Sequence, residues 1–463
     1  MTKKTFFLDQ HGCAKNQVDG ELLVTRLVNA GYEFVDDASR ADFIIINTCG
    51  FIESAKKESL DSLMAYRAAF PNAKILLAGC LAQRYAQVFK TELPEADGIF
   101  GNGDLSLIEG TVGDMLAKKR PVVVPEQKGV CCGDRNLSLS FPGSAYVKIT
   151  EGCNNYCSFC AIPLIRGSLR SRPANQIVEE IKLLVSKGTK EINLIGQDLA
   201  AYGCGSNDNV IAKEDKTHSH LYNLLQMISS LQGDFWVRLL YIHPDHFNAD
   251  ILTLMQNDRR ILPYFDIPFQ SGSDPIIKAM NRKGSFDEYV SLVSQIRKSA
   301  PEASIRTTFL TGFPGETEED ALRTKEFLEA IQPDWSGCFA YSREDDTPAY
   351  GFKNRVPKKT AALRAKTLQS VQEKITQQRL SLRTGKEYSV LVEEIIQNAE
   401  GSDEGLAIGR AWFQAPEVDG SVVVRYDLDD PSAVKAVLPG HMVRVRVIAS
   451  SALDIDGVYC GEC

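Results

Sequence analysis

Two patterns of apolar residues alternate along the first part of the chain. Short continuous apolar runs, such as residues 43–46 and 75–78, are separated by longer amphipathic stretches. The short runs are typical of buried parallel strands, and the longer stretches are typical of helices. We therefore predict a small parallel α/β domain over residues 1–115. Its predicted strands are residues 5–10, 42–48, 74–79 and 97–101.

The same alternation resumes at a larger scale after an irregular stretch. Residues 116–143 are rich in turn-forming and charged residues and are predicted to be a linker. Residues 144–384 then predict a partial (β/α)6 barrel, ending in a helical connector from about residue 357. The predicted barrel strands are residues 145–150, 191–196, 235–241, 264–269, 304–312 and 336–342.

The pattern changes again after residue 385. Short alternating runs at 390–394, 407–410, 421–426 and 442–448 are joined by Gly, Asp and Pro turns. This spacing predicts a small antiparallel β-barrel over residues 385–450. Residues 451–463 are predicted to be a frayed tail, and we interpret Cys460 and Cys463 as part of that tail.

Composition narrows the class of protein. The chain has 52 basic and 60 acidic residues, so broad electrostatic binding to nucleic acid is not expected. Its longest apolar runs are too short to cross a bilayer, and the first five residues lead straight into a strand without a signal-peptide pattern. Twelve cysteines in such a chain indicate reduced thiols and metal ligation. We therefore expect a soluble cytoplasmic enzyme without a membrane partner.

Three of these cysteines follow the first predicted barrel strand. Cys153, Cys157 and Cys160 form a C-x3-C-x2-C run. Structural zinc sites and ferredoxin clusters normally have four protein ligands. Three thiolates instead hold three irons of a 4Fe–4S cluster and leave the fourth iron open to a small molecule. A zinc site completed by a distant His or Cys is the alternative.

Three more cysteines lie at the ends of predicted strands in the first domain. Cys13, Cys49 and Cys80 each follow a strand and stand beside a glycine. The carboxyl ends of parallel strands meet at one sheet edge, where ligands bind. We favour a second three-cysteine cluster over three unrelated buried thiols. Cys131 and Cys132 have no evident partners and are treated as non-ligands.

These parts together resemble the methylthiotransferase family over nearly the whole chain. The C-x3-C-x2-C run resembles that of radical S-adenosylmethionine (AdoMet) enzymes, and the last module is similar to a TRAM domain. Residues 47–55, 79–85, 262–268 and 408–420 resemble the RimO-type branch, which methylthiolates an aspartate β-carbon of ribosomal protein S-twelve. Residues 270–273 and 280–282 resemble the MiaB-type branch, which modifies isopentenylated adenosine in tRNA. His11 and Gly20 depart from the usual first-cysteine motif.

The resemblance implies cofactors and site residues. It implies a 4Fe–4S cluster on each cysteine group, with AdoMet at the open iron of the barrel cluster and the donated sulfur on the other. Loop residues that we predict to contact AdoMet are Gln197, Asp198, Gly312 and Arg172. Arg166 is a second candidate to neutralise a carboxylate, and His243 and His246 are interpreted as packing or solvated residues.

Charge in the last module favours a protein substrate. Residues 385–449 contain eleven acidic and six basic residues, whereas an RNA-binding barrel needs a basic groove. An acidic module suits a basic partner such as a ribosomal protein, unless the carboxylates only form a solvated face. We predict methylthiolation of ribosomal protein S-twelve with an external electron donor, and tRNA modification is the alternative. An iron–sulfur electron carrier is disfavoured because both triplets lack a fourth ligand.

Overall fold

The computed structural model describes residues 3–135, 137–206, 208, 210, 217–396 and 404–463. The first 123 residues contain a six-stranded parallel sheet in the order β2-β1-β3-β4-β5-β6. Its strands are β1 (Thr5–Gln10), β2 (Glu33–Phe34), β3 (Phe43–Thr48), β4 (Lys74–Ala78), β5 (Gly98–Phe100) and β6 (Val122–Val123). Its helices are α1 (Ala14–Asn29), α2 (Glu53–Ala69), α3 (Gly79–Glu92) and α4 (Ile108–Leu116). The apolar strand β3 is buried along its whole length, as expected for a strand covered on both faces.

The middle of the chain forms a second parallel sheet in the order β14-β13-β12-β11-β10-β7. Its strands are β7 (Ser144–Lys148), β10 (Glu191–Ile195), β11 (Trp236–Leu239), β12 (Ile261–Asp266), β13 (Ser304–Thr311) and β14 (Trp335–Ala340), and a short pair, β8 (Thr150–Glu151) and β9 (Arg170–Ser171), follows β7. The helices are α5 (Ile162–Arg166), α6 (Ala174–Ser186), α7 (His220–Ser229), α8 (Asp250–Asn257), α9 (Asp274–Ala279), α10 (Phe286–Ser299), α11 (Glu318–Ile331) and α12 (Lys358–Ser381).

The C-terminal module is a closed five-stranded barrel in the order β15-β16-β17-β19-β18. Its elements are β15 (Glu387–Ile396), β16 (Glu404–Ala411), β17 (Val422–Asp427), α13 (Pro431–Ala436), β18 (Met442–Ser450) and β19 (Ile455–Glu462). The β17–β19 pair is parallel and the others are antiparallel. The predicted fold class, a parallel α/β domain, a partial barrel and a small β-barrel, is confirmed.

Two predicted boundaries are wrong in detail. Val122–Val123, inside the predicted linker, forms β6 and pairs with β5. Residues 455–462, inside the predicted frayed tail, form β19, which closes the C-terminal barrel against β17 and β18. Closure of a barrel removes exposed strand edges, so this last strand is a structural requirement.

The C-terminal barrel docks at the amino ends of the central strands. A buried ion network joins Glu191 at the start of β10 to Arg238 and Arg410, and Arg410 also pairs with Glu393. The indole nitrogen of Trp335 donates to a backbone carbonyl of the barrel at 2.8 Å. The carboxyl ends of the central strands are therefore left to face the N-terminal domain.

Candidate active site between two cysteine groups

The first group, the barrel cysteines, lies in the loop after β7. It comprises Cys153, Cys157 and Cys160, and the Cys160 amide donates to the Cys157 carbonyl oxygen at 2.9 Å. Two other amides point at sulfur, with Asn155 N at 3.5 Å from Cys153 Sγ and Ile162 N at 3.5 Å from Cys160 Sγ. Amides directed at sulfur stabilise the thiolate, the form that binds metal. The loop therefore presents three sulfurs as metal ligands.

Neighbouring segments fix the shape of this loop. Gly152 has φ +73°, and a Cβ there would collide with the carbonyl oxygen of Ser168. The Asn281 side chain donates to the carbonyl oxygens of Asn155 and Tyr156 at 3.3 and 3.0 Å. Tyr156 itself has a positive φ of 49°, an uncommon conformation for a bulky residue. Asn281 thus stabilises a backbone shape that the loop would not adopt alone.

Asp198 organises the same loop from β10. Its buried carboxylate accepts hydrogen bonds from Asn155 Nδ2, His246 Nδ1 and the amides of Ala200 and His243, at 2.7 to 3.1 Å. Burial opposes ionisation, but the hydrogen bonds from His246 and Asn155 lower the pKa of Asp198 below its usual range. Its predicted AdoMet contact is untested, and four protein donors already occupy its oxygens.

His243 is a neighbour of the barrel cysteines that the sequence interpretation did not place there. Its Nε2 lies 3.8 Å from Cys157 Sγ, and its Nδ1 accepts from the Asp245 amide at 3.3 Å. Burial, with the nearby Arg282 charge, lowers the pKa of His243 to about 3. A neutral imidazole therefore borders this sulfur.

Burial also keeps two barrel thiols protonated in the absence of a positive group. It raises the pKa of Cys153 to about 11 and, helped by the charge of Cys157, the pKa of Cys160 to about 12. Binding of a metal cluster supplies the positive charge that stabilises such thiolates. Three soft ligands on one short loop fit an iron–sulfur cluster.

The second group, the N-terminal cysteines, lies where three loops meet at the carboxyl edge of the first sheet. Cys13 follows β1, Cys49 follows β3, and Cys80 lies in the first turn of α3 after β4. A Cβ on Gly12 would lie 3.1 Å from Cys49 Cβ, and one on Gly50 would lie 2.8 Å from the carbonyl carbon of Cys80. Side chains at these glycines would force the loops apart. The loops that carry the three cysteines are therefore in contact, and the cluster on them stays a prediction.

Polar side chains surround the most buried of these sulfurs. Cys80 Sγ lies 3.2 Å from Arg166 Nη2, 3.3 Å from Asn102 Nδ2 and 3.7 Å from Asn16 Oδ1. Arg166 comes from α5 of the barrel, so it joins the two halves of the site. The prediction that Arg166 neutralises a carboxylate of AdoMet or substrate does not match this placement, because its guanidinium is directed at the N-terminal cysteines.

A buried charge network holds Arg166 in place. Arg166 Nη1 lies 2.6 Å from Glu151 Oε1 and 3.0 Å from Asp19 Oδ2. Lys148 pairs with the same two carboxylates. Asp19 belongs to α1 and the other three residues to the barrel, so the network also fixes the domains relative to each other. Such buried pairs are costly to break because one charge is left alone.

The N-terminal thiols differ in their electrostatic surroundings. Burial raises the pKa of Cys49 to about 12, and repulsion from Cys80 adds to this effect. Desolvation also opposes ionisation of Cys13, but the charges of Lys15 and Arg166 lower its pKa below the ordinary value. Two cations thus favour negative charge on this group, a setting that fits three thiolates and an added sulfur.

Lys15 connects the segment of the N-terminal cysteines with the carboxyl ends of the barrel strands. Its side chain leaves the first turn of α1, and its Nζ donates to the Gly196 carbonyl oxygen at 3.0 Å. Nζ also lies 3.6 Å from the centroid of the Tyr241 ring. Burial lowers the pKa of Lys15, and the neighbouring Cys13 thiolate opposes that effect. The residues it contacts follow β10 and β11 at the carboxyl ends of the barrel strands.

The remaining predicted AdoMet contacts have different surroundings. Gln197, next to Gly196, has both amide atoms buried, and neither has a hydrogen-bond partner within the described part of the chain. An unsatisfied amide is costly and fits a site completed by a ligand. Gly312 has φ +73° and abuts Ala361 of α12, so its freedom serves packing. Its amide donates to Glu316 at 2.9 Å.

Arg172 is not brought to either cysteine group. Its guanidinium pairs with Glu180 of α6 and donates to the carbonyl oxygens of Lys148 and Gln176. These partners hold it beside α6, so the predicted contact with AdoMet is not supported by the structure. Arg166 and Arg172 are six residues apart in the sequence. Their hydrogen-bond partners differ, and this difference places Arg166 at the N-terminal cysteines and Arg172 beside α6.

The other predicted non-ligand cysteines lie apart from both groups. Cys131 Sγ contacts the Gly103 carbonyl oxygen at 3.0 Å, and Cys463 Sγ lies 3.2 Å from Ser389 Oγ. Cys132 lies near a glutamine of α6, and Cys460 lies in β19.

A partial barrel with a three-cysteine loop after its first strand defines a radical AdoMet protein. Residues 147–328 match the radical SAM superfamily, residues 5–101 match the uncharacterized protein family UPF0004, and residues 384–459 match the TRAM domain. A solved radical S-adenosylmethionine methyltransferase, TsrM from Kitasatospora setae, shares the fold at a TM-score of 0.53 and 12% identity, over 75% of each chain.

The chain belongs to the family of ribosomal protein uS12 methylthiotransferases named RimO. A relative of that name from Treponema denticola is 51% identical over 97% of this chain and 100% of its own. Another from Thermotoga maritima is 39% identical over 89% of this chain and 92% of its own. No helix within the described residues is long and apolar enough to cross a membrane.

Proposed function

We propose that this chain is an AdoMet-dependent enzyme that adds a methylthio group to the β-carbon of an aspartate in ribosomal protein uS12 (S-twelve above). It uses two 4Fe–4S clusters, AdoMet and an external electron donor, and we place this activity in the cytoplasm. The observation that carries the proposal is a pair of contacts that join the two cysteine groups. Arg166, six residues after Cys160, lies 3.2 Å from Cys80 Sγ, and Lys15, two residues after Cys13, binds the Gly196 carbonyl oxygen after β10. In this proposal the substrate enters a gap beside these contacts. Relatives over the whole chain bear the uS12 methylthiotransferase name.

The two groups have separate tasks in this proposal. Cys153, Cys157 and Cys160 hold the cluster that binds AdoMet, and Cys13, Cys49 and Cys80 hold the cluster that carries sulfur. When bound, the first cluster supplies the electron that cleaves AdoMet to a carbon radical, a reaction that no side chain provides. The protein contributes the positions of the ligands, the buried amide of Gln197 beside the gap and the exclusion of water.

The surroundings of each group suit its task. Arg166 and Lys15 place positive charge beside the N-terminal cysteines, which favours the anionic sulfur to be donated. The neutral His243 and backbone amides border the barrel cysteines. AdoMet carries a positively charged sulfonium. Among the described residues no cation hydrogen-bonds to the barrel sulfurs, whereas Arg166 contacts Cys80, so the barrel group accepts that positive charge more readily.

The C-terminal barrel supports the choice of a basic protein substrate. Its excess of acidic residues is smaller at the surface than in the sequence, because Asp419 is buried and paired with Arg306 of the central barrel. The buried pair of Glu393 and Arg410 removes one charge of each sign and leaves the excess unchanged. Glu400 and Asp403 lie outside the described residues. An acidic surface remains at Asp427, Asp429 and Asp430, and it complements the positive charge typical of ribosomal proteins.

The two sequence segments that resemble the tRNA-modifying branch make structural contacts in this chain. Residues 270–273 bind α11, where Ser271 Oγ lies 3.1 Å from Thr324 Oγ1. Residues 280–282 support the cluster loop, partly by accepting a hydrogen bond from the Ser158 amide at 3.0 Å. These contacts explain both segments without a nucleic-acid substrate.

The test offers both substrates to anaerobically reconstituted protein. AdoMet, a reductant and a sulfur source are added with uS12 in one sample and isopentenylated tRNA in another, and mass spectrometry detects the methylthio group. We expect modification of the uS12 aspartate alone. Modification of tRNA alone would reject the proposed substrate, and absence of AdoMet cleavage in both samples would reject the radical chemistry.

A further inference from the structure

The Lys15 ammonium is the cation placed to meet a substrate in the gap. It is attached two residues after Cys13, the sulfur-carrying side of the site, and it contacts Gly196, the neighbour of Gln197 on the barrel side. Only 7% of Lys15 is exposed, but Cys13 beside it reaches solvent. Lys15 therefore lies next to an exposed residue of the N-terminal group.

The nearby carboxylates leave this ammonium unpaired, although the Cys13 thiolate lies close enough to act on it as a negative charge. Within the described residues, no carboxylate oxygen lies at salt-bridge distance from Nζ. The carboxylates of Asp19 and Glu151 are paired with Lys148 and Arg166. Asp266, another carboxylate near Lys15, accepts from the Tyr241 amide at 3.1 Å and faces Arg306. A buried lysine without a carboxylate partner is unusual, because charges are normally paired where water is excluded.

The ammonium also has unused donor capacity. Lysine has three N–H donors, and one of them binds the Gly196 carbonyl oxygen. The face of the Tyr241 ring covers a second direction without accepting a full hydrogen bond. At least one donor is left for a ligand, and a carboxylate is the acceptor that forms the strongest bond with it.

We propose that Lys15 binds the side-chain carboxylate of the substrate aspartate and selects aspartate over its neutral counterpart. This inference rests on the proposed function. The β-carbon is bonded directly to the carboxyl carbon, so a carboxylate held at Nζ fixes the β-carbon between the two cysteine groups. Lys15 is thus a substrate-binding residue whose charge sets specificity and whose position sets the site of modification.

Binding of uS12 and of a uS12 variant with asparagine at the target position tests this directly. Dissociation constants are measured anaerobically with reconstituted enzyme and AdoMet, without reductant, so no turnover is needed. We expect the wild-type enzyme to bind the aspartate form about tenfold to 100-fold more tightly, and Lys15→Met to bind both forms equally. Lys15→Arg, which keeps the charge, should retain part of the preference.

Lys56→Met is the matched control. Lys56 is another lysine between the domains, where it pairs with Glu344 at 2.7 Å away from the gap. Its removal should leave the preference for aspartate unchanged. This control separates loss of the Lys15 charge from a general loosening of the domain contact.

Three outcomes would overturn the inference. One is a wild-type enzyme without a preference for aspartate, and another is a Lys15→Met enzyme that keeps the preference. If Lys15→Met loses iron, Lys15→Gln is measured instead, because glutamine retains an N–H donor for Gly196. A Lys15→Gln enzyme that keeps the wild-type preference for aspartate is the third outcome. In any of these cases, methylthiolation of uS12 by the wild-type enzyme would still support the proposed function. Methylthiolation of tRNA alone would reject the proposed function itself.

Discussion

The two cysteine groups have the same number of sulfurs but different electrostatic surroundings. The N-terminal group lies beside Arg166 and Lys15, and the barrel group is bordered by backbone amides and a neutral imidazole. A cation in contact with a thiolate favours further negative charge, whereas a more distant cation, such as Arg282 near the barrel cysteines, does so less. This difference supports the proposed assignment of sulfur storage to the N-terminal group and of AdoMet binding to the barrel group.

Replacing a cysteine of one group at a time should have the largest effect, because it should separate the activities of the two groups. We expect Cys153→Ala to abolish AdoMet cleavage, because the open-iron cluster loses a ligand. We expect Cys80→Ala to retain AdoMet cleavage and to lose methylthio transfer. Chromatography of 5′-deoxyadenosine and mass spectrometry of uS12 give the two readouts, and equal loss of both activities in both variants would contradict separate tasks.

Removing the cation next to Cys80 should have the next largest effect. In Arg166→Met the sulfur loses its contact with Nη2, and Asp19 and Glu151 lose a partner. Partners of metal ligands commonly contribute tenfold to 100-fold to metal affinity or activity, so methylthio transfer should fall by about that factor. Arg172→Met, which removes an arginine paired with Glu180, is the control and should keep the transfer rate per folded enzyme.

Loosening the barrel loop should have a smaller effect. Asn281→Ala removes two hydrogen bonds to the cluster loop without touching a cysteine. The loss should destabilise the loop by about 1–3 kcal/mol. We expect slower AdoMet cleavage with an intact iron content, and cluster oxidation in air that is faster than in the wild type. An unchanged oxidation rate would show that Asn281 does not support the loop.

The smallest expected effect concerns pH. The hydrogen bond to Asp198 raises the pKa of His246 above its usual value of about 6.5. A raised folded-state pKa contributes stability that is complete below pH 6.5 and is lost as pH rises through the folded pKa. Urea unfolding should therefore show a larger destabilisation by His246→Asn at pH 6 than at pH 8.5. The reverse order would contradict this ion pair.

Sequence patterns predict the parts of the fold that depend on local order. The apolar runs of β3 and β4 fall within a residue of the predicted strands because buried parallel strands are continuously apolar. The two-residue strand β6 carries too few residues for a periodic signal. The sequence analysis did not predict β19, because this strand forms through its pairing with β17 and β18 and not through a local pattern.

In the candidate site, too, local features were predicted from the sequence and long-range contacts were not. Each N-terminal cysteine was predicted from its own strand end, which is a local feature. The role of Arg166 depends on Cys80, 86 residues away, and the contact of Lys15 with Gly196 spans 181 residues. Long-range pairs of this kind have no signal in a single sequence. The one local feature that could have identified Lys15 is its position in the first helical turn after Cys13, and the sequence analysis did not use it.

Iron content of a single variant tests the central claim most directly. With Cys153, Cys157 and Cys160 all replaced by alanine, the anaerobically reconstituted chain should hold about four irons, against about eight in the wild type. Mössbauer spectra of the variant should show one 4Fe–4S cluster on the N-terminal cysteines. A variant without iron, or a wild-type chain with only about four irons, would contradict two separate clusters facing each other across the Lys15 gap.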